Sequence, residues 1–136
     1  MSAAYDYAKS MQSQYVGVEH CFYAIATSAG GVAKAVLSKH GVNADGITRF
    51  LEKMRGTVEF NPMLPVPLTP RLKETIKMAE LTAKAFGHPA IEPEHLLVAL
   101  TRADGGPVVQ FFAHSSIDAQ RIRDEIISLA KPNRPK

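Results

Sequence analysis

Shifting the chain by 75 positions lays its first half on its second without a gap, and no other feature restricts the fold so tightly. Ala4, Ala8 and Lys9 fall on Ala79, Ala83 and Lys84, and Glu19-His20 falls on Glu94-His95. Ala24 meets Ala99, Gly30-Gly31 meets Gly105-Gly106, Ala44 meets Ala119 and Ile47 meets Ile122. Between these identities the chemical type is kept, as in Met11 with Phe86, Val16 with Ile91, Phe22 with Leu97 and Leu37 with Phe112. A register that preserves turns as well as apolar positions means one supersecondary unit used twice, each copy burying its apolar face against the other.

The punctuation inside the repeat is helical. Asn43 and Asp118 share a repeat position and are both favoured N-caps. An apolar residue precedes each (Val42, Ile117), and Ile47 or Ile122 follows at the fourth helical position, which is a hydrophobic staple in both halves. Thr69-Pro70 opens another helix, with an N-cap followed by the proline that suits a first turn. Leu72, Ile76, Ala79, Ala83 and Phe86 then make one apolar face at three- and four-residue steps, and Gly87 suits its end. The expected helices lie near 3–13, 18–29, 31–40, 43–55, 70–86, 93–103, 106–114 and 118–130. Residues 56–68, with Pro62, Pro65 and Pro67, form an extended connector. The fold class is therefore all-α: two tandem four-helix repeats related by a pseudo-twofold. One domain covers 1–130, with repeat 1 at 1–55, the linker at 56–68 and repeat 2 at 69–130. Residues 131–136 are a basic tail or linker.

A pI near 9.1 raises the question of a nucleic-acid partner. Three of the basic residues, Lys131, Arg134 and Lys136, sit in the tail, and the 13 that remain equal the 13 acidic residues. A neutral body lacks the clustered Lys and Arg that track phosphates, so no nucleic-acid partner is expected. No apolar run approaches the ~20 residues of a membrane span, and Tyr5, Asp6 and Lys9 interrupt any leader-like core. The lone Cys21 cannot form an internal disulfide, which fits a cytoplasmic location.

Catalytic patterns are absent. His20-Cys21 places a base beside a thiol, but neighbours on a helix point about 100° apart, and the partner in the other repeat is His95-Leu96. His88, Glu94 and His95 lack an established zinc spacing, and Ser13 replaces His88 in repeat 1, so no metal is assigned. Glu19 and Glu94 instead suit helix first turns, where a carboxylate meets the positive end of the dipole. No G-x-x-x-x-G-K-[ST] phosphate loop and no G-x-S-x-G elbow occurs in the sequence, so no enzymatic activity and no cofactor are expected.

The segments Tyr15-Val16-Gly17-Val18-Glu19-His20-Cys21-Phe22 and Ala90-Ile91-Glu92-Pro93-Glu94-His95-Leu96-Leu97 resemble the repeat of the Clp N-terminal domain. Thr69-Pro70-Arg71, Gly87-His88, Gly41-Val42-Asn43 and Ser116-Ile117-Asp118 complete the pattern over nearly the whole chain. The resemblance implies an eight-helix module, not itself catalytic, that binds unfolded or tagged protein substrates or adaptor proteins. It would deliver them to the AAA+ ring of the parent chain, a Clp-type unfoldase or disaggregase. A free-standing regulator of such a machine and a small helical nucleic-acid-binding protein are the alternatives. Members of the ClpC type read phosphoarginine through the Glu of Glu-His and a Thr at the repeat start. By position this points to Glu19, Glu94 and Thr69 as binding residues. Three departures favour general peptide or adaptor recognition. Repeat 1 has no counterpart of Thr69-Pro70-Arg71, so its first helix should be about two turns short. Val18 and Pro93 stand where the family has Thr, and the Ile91–His95 segment looks closer to disaggregase-type members. Repeat 2 keeps the full motif and is expected to carry more of the binding.

Overall fold

The structure, a computed structural model, describes residues 2–27, 31–55, 60–102 and 107–130. Eight helices follow one another: α1 (Ser2–Ser10), α2 (Val18–Ala26), α3 (Val32–Lys39), α4 (Ala44–Arg55), α5 (Pro70–Ala85), α6 (Pro93–Arg102), α7 (Pro107–His114) and α8 (Ala119–Ala130). Their starts and ends repeat the 75-residue register almost to the residue. The exception is at the front, where α5 has 16 residues and α1, described from Ser2, has 9. Gly30, Gly105-Gly106, part of the 56–68 connector and the basic tail lie outside the described residues.

The caps explain these boundaries. Asn43 Oδ1 accepts from Gly46 N–H at 2.8 Å and Asp118 Oδ1 accepts from Gln120 N–H at 3.0 Å, so both expected N-caps act. Thr69 Oγ1 accepts from Leu72 N–H at 3.1 Å, with Pro70 behind it in the first turn. Two expected helices run shorter than their apolar pattern. α1 stops at Ser10 instead of near 13, because Gln12 turns left-handed (φ 56°) and the N–H of Ser13 reaches back to Ala8 O at 2.9 Å. α2 stops at Ala26, and Thr27 caps it by donating its N–H to Tyr23 O and its hydroxyl to the same carbonyl.

The helices bury one continuous core. α1 packs on α2, and α5 on α6, within the repeats; α2 then packs on α5, α6 and α7, and α3 on α6 and α8, across them. At the centre the Phe22 ring, 1% exposed, meets Phe111 and Phe112 edge-on at 5.5 and 5.3 Å. The apolar face of α5 buries Leu72, Ala79 and Ala83 and is continued by Phe86 at its C-cap. It also buries Thr75, whose hydroxyl is satisfied by Arg71 O at 2.9 Å. On the rim, Glu125 of α8 takes Lys39 Nζ at 3.5 Å and His40 Nε2 at 3.0 Å from the end of α3.

The connector is fastened to repeat 1. Val16 and Leu68 form an isolated parallel bridge, with Val16 N–H on Pro67 O at 2.8 Å and Thr69 N–H on Val16 O at 3.0 Å. Gln14 holds the same stretch through its amide, accepting from Asn61 N–H and donating to Asn61 O and Pro65 O. Prolines at 62, 65 and 67 remove backbone donors there, and the glutamine supplies side-chain bonds in their place.

Candidate functional site

The Glu-His pair opens α2 and α6, and the histidine is the structural half of it. Gly17 caps α2, which makes Glu19 the second and His20 the third helical residue. His20 Nδ1 accepts from Gly17 N–H at 2.9 Å, and His95 Nδ1 accepts from Glu92 N–H at 2.7 Å. This is half of a capping box with histidine in the place usually held by Glu or Gln. Both imidazoles are buried, 3% and 0% exposed, and burial pushes their pKa down, opposed by the adjacent Glu19 or Glu94. The sequence reading assigned the polar contact at these helix starts to the glutamates. Counting three residues on from the cap would have found the histidines.

The carboxylates are thereby left for other work, and their settings differ. Glu19 is half-buried and accepts from Tyr15 Oη at 2.9 Å. Its other oxygen lies over Gly17, where any Cβ would collide with it. Among the described residues no Lys or Arg pairs with Glu19. It borders a groove of about 290 Å³ lined by Met11, Tyr15, Leu51, Met54 and Pro107, with polar groups from Gln12, Ser13, Gln14 and His20. Tyr15 and Met54 are exposed at 43% and 45%, so the apolar surface here is open.

In repeat 2 the ligating atoms of His88, Glu94 and His95 all lie within 4.8 Å of one another. His88 Nδ1 stands 2.7 Å from His95 Nε2. Because His95 Nδ1 is an acceptor for Glu92 N–H, the neutral ring carries its proton on Nε2 and donates it to His88 Nδ1. A cation taken at His95 Nε2 would drive that proton onto Nδ1, against the Glu92 N–H. The donor set therefore suits hydrogen bonding and not ligation.

The three residues singled out by sequence do not form one site. Thr69 and the Glu94 cluster stand at opposite ends of α5, on the order of 25 Å apart at 1.5 Å per residue. Thr69 is instead stitched to Val16, in the loop that carries Glu19, and its hydroxyl oxygen accepts from Leu72 N–H as the α5 cap. Cys21 is buried, 1% exposed, and desolvation raises its thiol to about 12, so no thiolate is available near neutral pH. Among the described residues no helix is long and apolar enough to cross a membrane.

Solved structures share this architecture. The N-terminal domain of the Caseinolytic protease associated chaperone ClpD from Arabidopsis thaliana superposes with a TM-score of 0.75 at 14% identity, covering 96% of this chain and 88% of that one. The Hsp104 N-terminal domain from Candida albicans gives 0.77 at 13% identity, covering 98% and 87%. The fold is thus that of Clp N-terminal domains. The model of the Clp repeat (R) N-terminal domain matches residues 1–80 and again 67–134, and the chain belongs to that family. Among curated proteins, the ATP-dependent Clp protease ATP-binding subunit ClpA homolog of Guillardia theta is 28% identical over 126 residues, and the chloroplastic chaperone protein ClpC of Pisum sativum is 27% identical over 126. Those matches cover 93% of this chain but 15% and 14% of the relatives' lengths.

Proposed function

We propose that this domain recognises proteins, capturing unfolded or tagged substrates or an adaptor, and presents them to the AAA+ ring of a Clp-type parent chain. The observation that carries this reading is the open apolar groove with a carboxylate at its edge that no Lys or Arg among the described residues pairs, on a domain of a family found in Clp ATPases. An apolar surface with a few placed polar groups suits recognition of an extended chain. Catalysis by the domain itself is not part of the reading, since the sequence has no phosphate loop and its one thiol is held neutral. A buried free thiol also suits a reducing compartment such as the cytoplasm. General peptide or adaptor binding is favoured over phosphoarginine reading, because Val18 and Pro93 stand where the family has Thr and repeat 1 has no counterpart of Thr69-Pro70-Arg71.

The test is titration of the domain into a fluorescently labelled, permanently unfolded model protein and into its folded form. Saturable binding to the unfolded form alone, or to an adaptor of the parent machine, is expected. A domain that binds neither unfolded protein nor adaptor overturns the proposal.

A further inference from the structure

The 75-residue register also pairs two surface clefts, and it reverses their charge. One, of about 660 Å³, lies between α4 and the end of α7, with Asn43, Gly46, Arg49, Phe50 and Lys53 in its lining. Their counterparts Asp118, Arg121, Asp124, Glu125 and Ser128 line a second cleft, of about 680 Å³, along α8. The first carries Arg49 and Lys53 against the single carboxylate Glu52. The second carries Asp118, Asp124 and Glu125 against the single cation Arg121. The two clefts share no lining residue.

One internal contact in each repeat decides which charges are left facing outward. Glu125 takes His40 Nε2 at 3.0 Å and Lys39 Nζ at 3.5 Å, which ties α8 to the end of α3 through charge. At the matching position the Phe50 ring lies 5.4 Å from Phe111 and 5.3 Å from His114, so α4 is tied to α7 through rings instead. Arg49 and Lys53 are therefore not spent on that contact. They are exposed one turn apart on α4, with no carboxylate at ion-pair distance among the described residues. Asp124 is exposed on α8 and likewise has no cation at that distance.

These charges select a partner. A twofold pairing through the α4 cleft would set Arg49 and Lys53 against their own copies, and one through α8 would set Asp118 and Asp124 together. Like charges so placed repel, whereas the α4 cleft of one copy on the α8 face of another opposes net positive to net negative.

We propose that the chain associates with further copies of itself head to tail, the basic α4 cleft of one copy taking the acidic α8 face of the next. Every copy keeps one free face of each sign, so the contact propagates, and it closes where a ring fixes the rotation between neighbours. The pairing stands apart from the protein-recognition reading above; only its placement between adjacent domains rests on the Clp-type parent ring named there. Exposed charge pairs are weak, so a Kd on the order of 1 mM is expected for the separate chain, a concentration that tethering to a ring supplies.

Sedimentation equilibrium and amide chemical shifts, followed against chain concentration, test this. Average mass should rise above that of the monomer toward about 1 mM chain in low salt and fall back in about 0.5 M salt. The shifts should fall in two patches, 43–53 with 114–115 and 118–128. Reversing α4 with Arg49→Glu and Lys53→Glu, or α8 with Asp124→Lys and Ser128→Lys, should weaken self-association by about ten-fold or more. Mixed in equal amounts the two variants should associate again, because each supplies the face that the other lacks. Unchanged melting temperatures would establish that both are folded. A wild type that stays monomeric at about 1 mM in low salt, shifts confined to one face, or reversed variants that self-associate like the wild type would overturn the proposal. So would an acidic peptide that fills the α4 cleft of a chain that remains monomeric. The unfolded protein titrated above should bind both variants as it binds the wild type. Its failure to bind any of them would count against protein recognition and leave self-association standing, and a monomeric wild type that still binds it would do the reverse.

Discussion

His20 and His95 each hold a helix start from inside the core, and that position sets a pH dependence. Their folded pKa values are below the ordinary 6.5, so the unfolded chain binds a proton more readily than the folded one. Stability is then fully present above about 6.5 and is lost as pH falls below it toward the folded values. Melting temperature should decline on going from about pH 8 to about pH 5. Replacing both histidines with Gln, which can also accept the N-cap N–H from the third helical position, should flatten most of that decline. His20→Ala should cost about 2 kcal/mol at neutral pH, since it leaves Gly17 N–H without its acceptor and opens a void. A wild-type melting curve independent of pH over this window would refute the assignment. At this scale the sequence showed which positions matter, through the paired Glu-His, but not the division of labour. That depends on which side chain turns inward, which spacing alone does not reveal.

The ends of α1, α3, α5 and α7 are one device used four times. In each, a left-handed residue follows the helix and the next N–H returns to a carbonyl five residues back, as in His88 to Ala83 and Val42 to Leu37. Register partners split the residue choice: Gly87 (φ 77°) answers Gln12 (φ 56°), and Gly41 (φ 81°) answers Ser116 (φ 58°). A side chain at such φ costs roughly 1 kcal/mol, which glycine avoids. Gln12→Gly and Ser116→Gly should therefore each raise stability by about 0.5–1 kcal/mol, whereas Gly87→Ala should lower it by about 1 kcal/mol. Chemical denaturation of the three variants checks this, and a destabilised Ser116→Gly would show that the turn is not strained. Most element boundaries were legible because Asn43, Asp118 and Thr69-Pro70 are explicit start signals. The end of α1 was not, because Gln12 carries no glycine-like mark and the apolar spacing runs on to Met11. The Val16–Leu68 bridge was equally hidden, since it pairs a loop with a connector 52 residues away and leaves no periodicity.

The repeats exchange core surface across α2, α6 and α7, so the molecule is expected to unfold as one cooperative body. Phe22 belongs to repeat 1 by sequence, yet its ring is packed on Phe111 and Phe112 of repeat 2. Its register partner Leu97 is likewise wholly buried. The rim contact of Glu125 with Lys39 and His40 adds little by comparison, since exposed charge pairs are weak. Folding one repeat alone would leave aromatic faces in water, so neither half is expected to melt independently. Phe22→Ala should cost about 3–5 kcal/mol and Leu97→Ala about 2–5 kcal/mol, large fractions of the ~5–15 kcal/mol that hold such a domain. Although one substitution lies in each repeat, both should move the same single transition. Far-ultraviolet ellipticity and tyrosine fluorescence should follow it with the same midpoint. The probes divide usefully, because all four tyrosines lie in repeat 1 while helices fill both. If Leu97→Ala lowered the ellipticity midpoint but left tyrosine fluorescence unmoved, the repeats would be separate folding units and the shared-core account would be wrong.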